Sequence, residues 1–113
     1  MPYIKTRTNS GISNEQELEI KRRLGEAIVN LGKSEQWLMV DFDDNCKLYF
    51  QGSNEDKIAY VEVKLYGNAS SSQYDSMTSE ITNILGEVLG IDKNKVYVSY
   101  YPTDNWGWNG NNF

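Results

Sequence analysis

The chain of 113 residues contains no histidine and a single cysteine, Cys46. The lack of histidine excludes Ser-His-Asp and Cys-His nucleophilic sites, which need an imidazole, and together with the single cysteine it excludes the common zinc sites. One cysteine cannot form an intrachain disulfide, which suits a reducing compartment. We therefore expect neither a triad hydrolase nor a metal centre.

Long apolar runs and clusters of basic residues are also missing. No segment approaches the roughly 20 apolar residues that a membrane helix needs, and residues 1–5 lack the apolar run of a signal peptide. The 11 basic and 16 acidic residues give a net charge of −5 with no basic patch, which disfavours a nucleic-acid partner. These absences predict a cytoplasmic protein that binds neither membrane nor nucleic acid. Any secretion would follow a route without a signal peptide.

What is present is the composition of a small folded domain. Apolar residues make up 39% of the chain and charged residues 24%, which is typical of globular proteins rather than disordered ones. The length fits one domain spanning residues 1–113.

Hydrophobic periodicity predicts a first β-α-β unit. A strand over 3–8 precedes a helix that begins at a capping box of Ser13 and Gln16 and ends at Gly32. The apolar segment 37–42 follows as a strand, and we expect both of its faces to be covered. The core stripe of the helix is predicted to contain Leu18, Leu24, Ala27, Ile28 and Leu31.

A second unit of the same kind follows. An alternating strand over 58–66 leads through the serines at 70–72 into a helix that ends at Gly90, and a strand over 95–101 comes next. A further short strand is predicted over 46–50. Both helices should cover one face of a single mixed four-stranded sheet, which makes the fold class α+β.

The other face of this sheet would carry tyrosines and no helix. Tyr60 and Tyr66 alternate with the apolar residues of one strand, and Tyr97 and Tyr101 do so in another. A tyrosine-rich face with two exposed terminal strands favours coverage by neighbouring subunits. The pattern therefore predicts an oligomer.

Three residues could carry chemistry, and each also has an ordinary structural explanation. Removal of Met1 would give Pro2 a free secondary amine, and burial beside a cation such as Lys33 would lower its pKa to that of a general base. Otherwise Pro2 merely precedes the first strand. Lys33 either binds an anionic substrate or offsets the helix dipole. Tyr97 either donates a hydrogen bond to a substrate or packs with its hydroxyl in water.

Five short motifs occur in order along nearly the whole chain. They are Pro2 at the start, LGK at 31–33, FQGS at 50–53, KVYV at 95–98 and NWGWNGNNF at 105–113. Together they resemble the macrophage migration inhibitory factor (MIF) family of the tautomerase superfamily. The resemblance implies a β-α-β-β-α-β fold and a homotrimer whose active sites lie between subunits.

The same resemblance implies cofactor-free keto–enol tautomerisation of small 2-oxo acids such as phenylpyruvate, and in many members isomerisation of dopachrome. Pro2 would be the base after loss of Met1, and Lys33 would hold a carboxylate or enolate oxygen. The backbone N–H of Tyr66 would also bind the carboxylate, and Tyr97 would come from the adjacent subunit. The other substrate-binding positions implied in this way are Trp37, Ser99, Trp106, Trp108 and Phe113.

The chain departs from the family pattern at several positions. Ser99 stands where many members have asparagine, and Tyr66 stands where a smaller aliphatic residue is usual. Lys57 and Tyr60 occupy the region of the Cys-x-x-Cys motif found in some members, so no thiol-disulfide activity is implied. These departures leave an alternative open: a non-catalytic MIF-like cytokine or interaction protein with a vestigial pocket, whose partner would be a cell-surface receptor.

Overall fold

Two β-α-β units share one sheet in the structure, a computed structural model that describes residues 1–113. In chain order the elements are β1 (Pro2–Thr8), α1 (Asn14–Ala27), β2 (Met39–Asp43), β3 (Ala59–Tyr66), α2 (Ser71–Leu89), β4 (Val96–Thr103), β5 (Gly107–Trp108) and β6 (Asn111–Asn112). The first four strands lie in the order β2-β1-β3-β4, and β5 pairs with β6 in a small hairpin. β1 is parallel to β2 and antiparallel to β3, while β3 is parallel to β4. The predicted mixed four-stranded sheet is confirmed.

Both helices pack on one face of this sheet. Alternate side chains of β1 and β3 point to that face, and Ile4, Val61 and Val63 are fully buried there. They belong to a core of 16 buried apolar side chains drawn from the sheet, α1, α2 and the segments that end them. The period of two along the strands therefore separates a helix-covered face from a face without helices, as predicted.

The helix ends follow local sequence signals. Ser13 and Gln16 form the predicted capping box at the start of α1. The last turn of α1 tightens into a 3-10 helix, Ile28–Leu31, and Gly32 ends it in the left-handed conformation at φ 70°. This turn directs Lys33 back toward the sheet. Neither α1 nor α2 combines the length and apolarity that crossing a membrane requires.

One predicted core position of α1 is wrong. The Leu18 side chain is 61% exposed, whereas Ile20 is fully buried against the sheet. Two residues are about 200° apart around a helix, so only one of the pair can face the core. Ile20 lies four residues before Leu24 and continues the buried stripe, which leaves Leu18 on the outer surface.

The predicted strand over 46–50 is also wrong. The only bridge in this segment joins Phe50 to Ser53, within a turn. The outer edges of β2 and β4 are free, but 46–50 forms no ladder with either of them. Strand propensity does not make a strand unless the fold brings the segment alongside an edge. The segment therefore has no partner within the chain.

The apolar segment 37–42 differs from its prediction as well. Trp37 closes a 3-10 turn, Glu35–Trp37, and the strand begins at Met39. The strand lies at the edge of the sheet, and Met39 is 67% exposed. Its two faces are therefore not both covered within the chain.

Lys57 stabilises the end of α2, and replacing it should reduce stability. Its Nζ donates a hydrogen bond of 2.8 Å to the carbonyl of Leu89, one of the last carbonyls of the helix. Lys57→Met is expected to lower the free energy of unfolding by about 1 kcal/mol in urea denaturation, because a cation at a helix C-terminus is lost. The control Lys93→Met removes an exposed lysine and should change the free energy of unfolding by less than about 0.5 kcal/mol. Equal values for the two variants would contradict this role.

Candidate active site

A cavity of about 530 Å³ lies beside the start of β1. Its walls come from the first three residues, the segment that leads into β2, one residue of β3 and the C-terminal hairpin. Trp37 and Trp108 meet edge to face with ring centroids 5.0 Å apart, and Trp106 completes an aromatic wall. The fold thus brings Pro2 and three of the four aromatic side chains predicted to bind substrate, Trp37, Trp106 and Trp108, to one cavity; the fourth, Phe113, does not line it.

Pro2 is buried at the first position of β1, where it pairs with Leu65 of β3. Burial, and secondly the positive charge of Lys33, lowers the pKa of the Met1 amine next to it. Pro2 is itself buried, so burial would act in the same direction on its amine once Met1 is removed. The site is therefore one in which an amine at this end of the chain favours its neutral form.

Lys33 is held beside Leu65, the residue of β3 that pairs with Pro2. Its Nζ donates a hydrogen bond of 2.8 Å to the carbonyl of Tyr66 at the end of β3. The left-handed Gly32 lets the chain turn at the end of the 3-10 helix, so that Lys33 reaches across to the sheet. Lys33 is half-buried and does not line the cavity wall itself.

The backbone N–H of Tyr66 is already occupied while Met1 is present. It donates a hydrogen bond of 3.1 Å to the carbonyl of Met1. Removal of Met1 would free this donor at the same time as it exposes the nitrogen of Pro2. The Tyr66 ring packs against Phe113, with centroids 5.4 Å apart, so the last residue of the chain closes over the end of β3.

Tyr97 lies far from Pro2 of its own chain. Tyr97 pairs with Tyr60, whereas Pro2 pairs with Leu65 five residues further along β3. At about 3.3 Å per residue the two positions are about 17 Å apart along the strand. Tyr97 instead packs edge-on against Phe50, with centroids 4.8 Å apart, beside a smaller cavity of about 120 Å³.

Ser99 is also remote from the cavity at Pro2. Its hydroxyl lies 2.7 Å from the hydroxyl of Tyr60 and 3.3 Å from that of Tyr101. Hydrogen bonds from Ser99 and then from Tyr60 lower the pKa of Tyr101. Within one chain, Ser99 therefore belongs to a cluster of hydroxyl groups on the helix-free face.

Lys64 lines the cavity, although the motifs did not identify it. It is the only charged side chain among the lining residues, which include no carboxylate. The alternation of β3 offered a signal, because Lys64 lies two residues before Tyr66 and so shares its face of the sheet.

Comparison with known proteins identifies the family of this chain. The family model for "Macrophage migration inhibitory factor (MIF)" matches residues 1–113. The chain belongs to the MIF family. The MIF of Xenopus laevis is 27% identical over 118 residues, covering 100% of this chain and 99% of that protein. The MIF-like protein mif-2 of Caenorhabditis elegans is 26% identical over 114 residues, covering 97% and 92%.

A solved MIF structure extends the likeness to three dimensions. The crystal structure of Leishmania major MIF2 matches with a TM-score of 0.93 and 32% sequence identity, covering 100% of this chain and 97% of that one. The resemblance inferred from the motifs is thereby confirmed, and so is the MIF-type arrangement of two helices on a mixed four-stranded sheet. The roles of the individual site residues stay predictions.

Proposed function

We propose that this MIF-family protein is a cofactor-free keto–enol tautomerase of small 2-oxo acids, of the phenylpyruvate or dopachrome type. Pro2 acts as general base after Met1 has been removed. The position of Pro2 carries the proposal: it is buried beside an aromatic-walled cavity, next to the Met1 amine, whose pKa burial and then Lys33 lower. Such an amine is available as a base near neutral pH.

The proposed reaction moves one proton and leaves the protein unchanged. The neutral nitrogen of Pro2 takes the hydroxyl proton of the enol, and the resulting ammonium returns a proton to the adjacent carbon to give the ketone. Lys33 and the freed N–H of Tyr66 stabilise the carboxylate and the developing enolate oxygen. The tryptophan walls exclude water, which strengthens these interactions.

We also propose a homotrimer with the active sites between subunits. Large apolar side chains at the sheet edges and near the cavity are exposed in the single chain, among them Met39 at 67% and Tyr97 at 61%. Exposure of this kind is typical of interaction surfaces. Because Tyr97 and Ser99 do not reach Pro2 within one chain, they would reach the Pro2 of a neighbour.

The direct test is turnover by protein whose N-terminus is known. Intact mass should show loss of Met1, and native mass spectrometry should show three copies. This protein should accelerate conversion of the phenylpyruvate enol to the ketone, followed by the decay of enol absorbance. Correctly trimmed trimers without turnover would refute the proposed activity.

Mixed trimers test whether Tyr97 serves a neighbouring site. Pro2→Gly and Tyr97→Phe chains, each weakly active alone, should regain activity when they are unfolded and refolded together. In a ring, a site needs Pro2 from one chain and Tyr97 from the next. In an equal random mixture half of the chains keep Pro2 and the other half keep Tyr97, so about a quarter of the sites should have both.

The control is the same refolding of each variant alone. Activity of the mixture equal to the mean of the two separate variants would show that Pro2 and Tyr97 work within one chain, which contradicts the proposed arrangement.

A second candidate function is a non-catalytic interaction protein. It is favoured by the Met1 carbonyl that occupies the Tyr66 N–H and by the Ser99 hydroxyl that is already paired with tyrosines. This candidate requires that the protein reach the outside of the cell. It predicts trimers with negligible turnover that bind saturably to a receptor on cells.

A further inference from the structure

The cavity at Pro2 has an unbalanced charge. Lys64 is its only charged side chain, and the residues that line it otherwise are aromatic, apolar or neutral. The chain as a whole carries a net charge of −5, so a lone cation in this cavity runs against the average of the surface. A cation that faces an apolar cavity without a carboxylate is suited to an anionic ligand group.

Lys64 is not fully committed to a partner within the chain. Its nearest carboxylate oxygen, on Glu62, is 4.0 Å from Nζ, which is beyond hydrogen-bond length. The ring centroid of Tyr101 is 5.8 Å from Nζ, and the side chain is 48% exposed. Lys33, by contrast, donates a hydrogen bond of 2.8 Å to the Tyr66 carbonyl.

The two lysines approach the site from different directions. Lys33 arrives from the end of α1 and meets the last residue of β3. Lys64 lies two residues earlier on β3, about 7 Å along the strand, on the face that carries no helix. One carboxylate cannot easily engage both Lys33 with the Tyr66 N–H and Lys64.

We propose that Lys64 is a specificity-determining residue that binds a second anionic group of the substrate. The preferred substrate class would then be a dianionic 2-oxo acid with an apolar or aromatic middle, rather than a monoanion such as phenylpyruvate. This inference rests on the proposed tautomerase function. The 2-oxo carboxylate lies toward Lys33 and Tyr66, the aromatic part lies against the tryptophans, and the second anion meets Lys64.

The test compares phenylpyruvate with its analogue that carries a second carboxylate at the para position of the ring. In the wild type, kcat/KM should be higher for the dianion. Lys64→Met should lower kcat/KM for the dianion by about tenfold, through KM, because a hydrogen bond to a charged group is lost. The kcat/KM of Lys64→Met for phenylpyruvate should stay within about twofold of the wild-type value, because that substrate has no second anionic group for Lys64 to bind.

Lys5→Met is the matched control. Lys5 lies on β1, on the same face of the sheet as Lys64, but does not line the cavity. The substitution therefore removes the same charge from the protein without changing the cavity. Its ratio of the two kcat/KM values should equal that of the wild type. An unchanged ratio in Lys64→Met, or an equal loss for both substrates, would overturn the assignment.

Binding provides a readout that does not depend on turnover. Quenching of the cavity tryptophans should report tighter binding of the dianion than of phenylpyruvate, and Lys64→Met should abolish this preference. If the wild type binds with this preference but turns over neither compound, the tautomerase proposal fails while the assignment of Lys64 holds. If it turns both over without preference, the assignment of Lys64 fails alone.

Discussion

Replacing Pro2 by glycine is expected to lower kcat/KM for phenylpyruvate by about 100-fold or more in protein that has lost Met1, the range that a positioned general base contributes. Glycine keeps a terminal amine but lacks the ring, which packs in the buried first position of β1 and fixes the direction of the nitrogen. The variant therefore loses both the position of the base and part of the burial that lowers its pKa. The rate of enol-to-ketone conversion measures the effect.

The only other proline offers a matched control. Pro102 lies exposed near the end of β4 and does not line the cavity at Pro2, so Pro102→Ala should keep kcat/KM within about twofold. Comparable rates for Pro2→Gly and the wild type would remove Pro2 from the mechanism.

The pH profile should carry the signature of the same amine. The base is active when neutral, so kcat/KM should fall as the pH drops through its pKa and level off above it. Burial and Lys33 lower the pKa of the Met1 amine, and we expect both to act likewise on the amine of Pro2, so the fall should lie below the range of an ordinary terminal amine. Lys33→Met should move this fall to higher pH, because the substitution removes one of the two causes that lower the pKa.

Acylation of Pro2 is expected to have an effect as large as its replacement. Inserting one alanine between Met1 and Pro2 keeps every residue of the cavity but makes the Pro2 nitrogen part of a peptide bond. A peptide nitrogen shares its lone pair with the carbonyl and cannot act as a base, so the variant should retain less than about 1% of the activity of trimmed protein. The added carbonyl should also keep the Tyr66 N–H occupied, as that of Met1 does.

Intact mass establishes the N-terminus of the inserted variant, and its circular dichroism and native mass should match those of the trimmed protein. Undiminished turnover by a folded, acylated trimer would rule out the Pro2 amine as the base.

Local signals predicted much of this fold. The predicted capping box of Ser13 and Gln16 is present as a hydrogen-bonded pair, and the alternation within 58–66 places Val61 and Val63 in the core. These features depend on contacts within a few residues or on the period of one element. A single sequence contains that information directly.

The errors arose where a partner is distant along the chain. Leu18 and Ile20 are both apolar, and only the position of the sheet decides which of them is buried. The segment 46–50 has strand composition but pairs with neither free edge of the sheet. Propensity describes a residue, whereas pairing and burial depend on neighbours that the fold brings close.

The sequence by itself determined the family, the two β-α-β units and the candidacy of Pro2 and Lys33, because ordered motifs and periodicity are properties of the chain alone. Only the tertiary structure decided that Lys64 shares the cavity with Pro2, that the Met1 carbonyl occupies the Tyr66 N–H, and that Tyr97 lies far from Pro2 of its own chain. Strand register sets these distances, and register is the joint outcome of every pairing in the sheet.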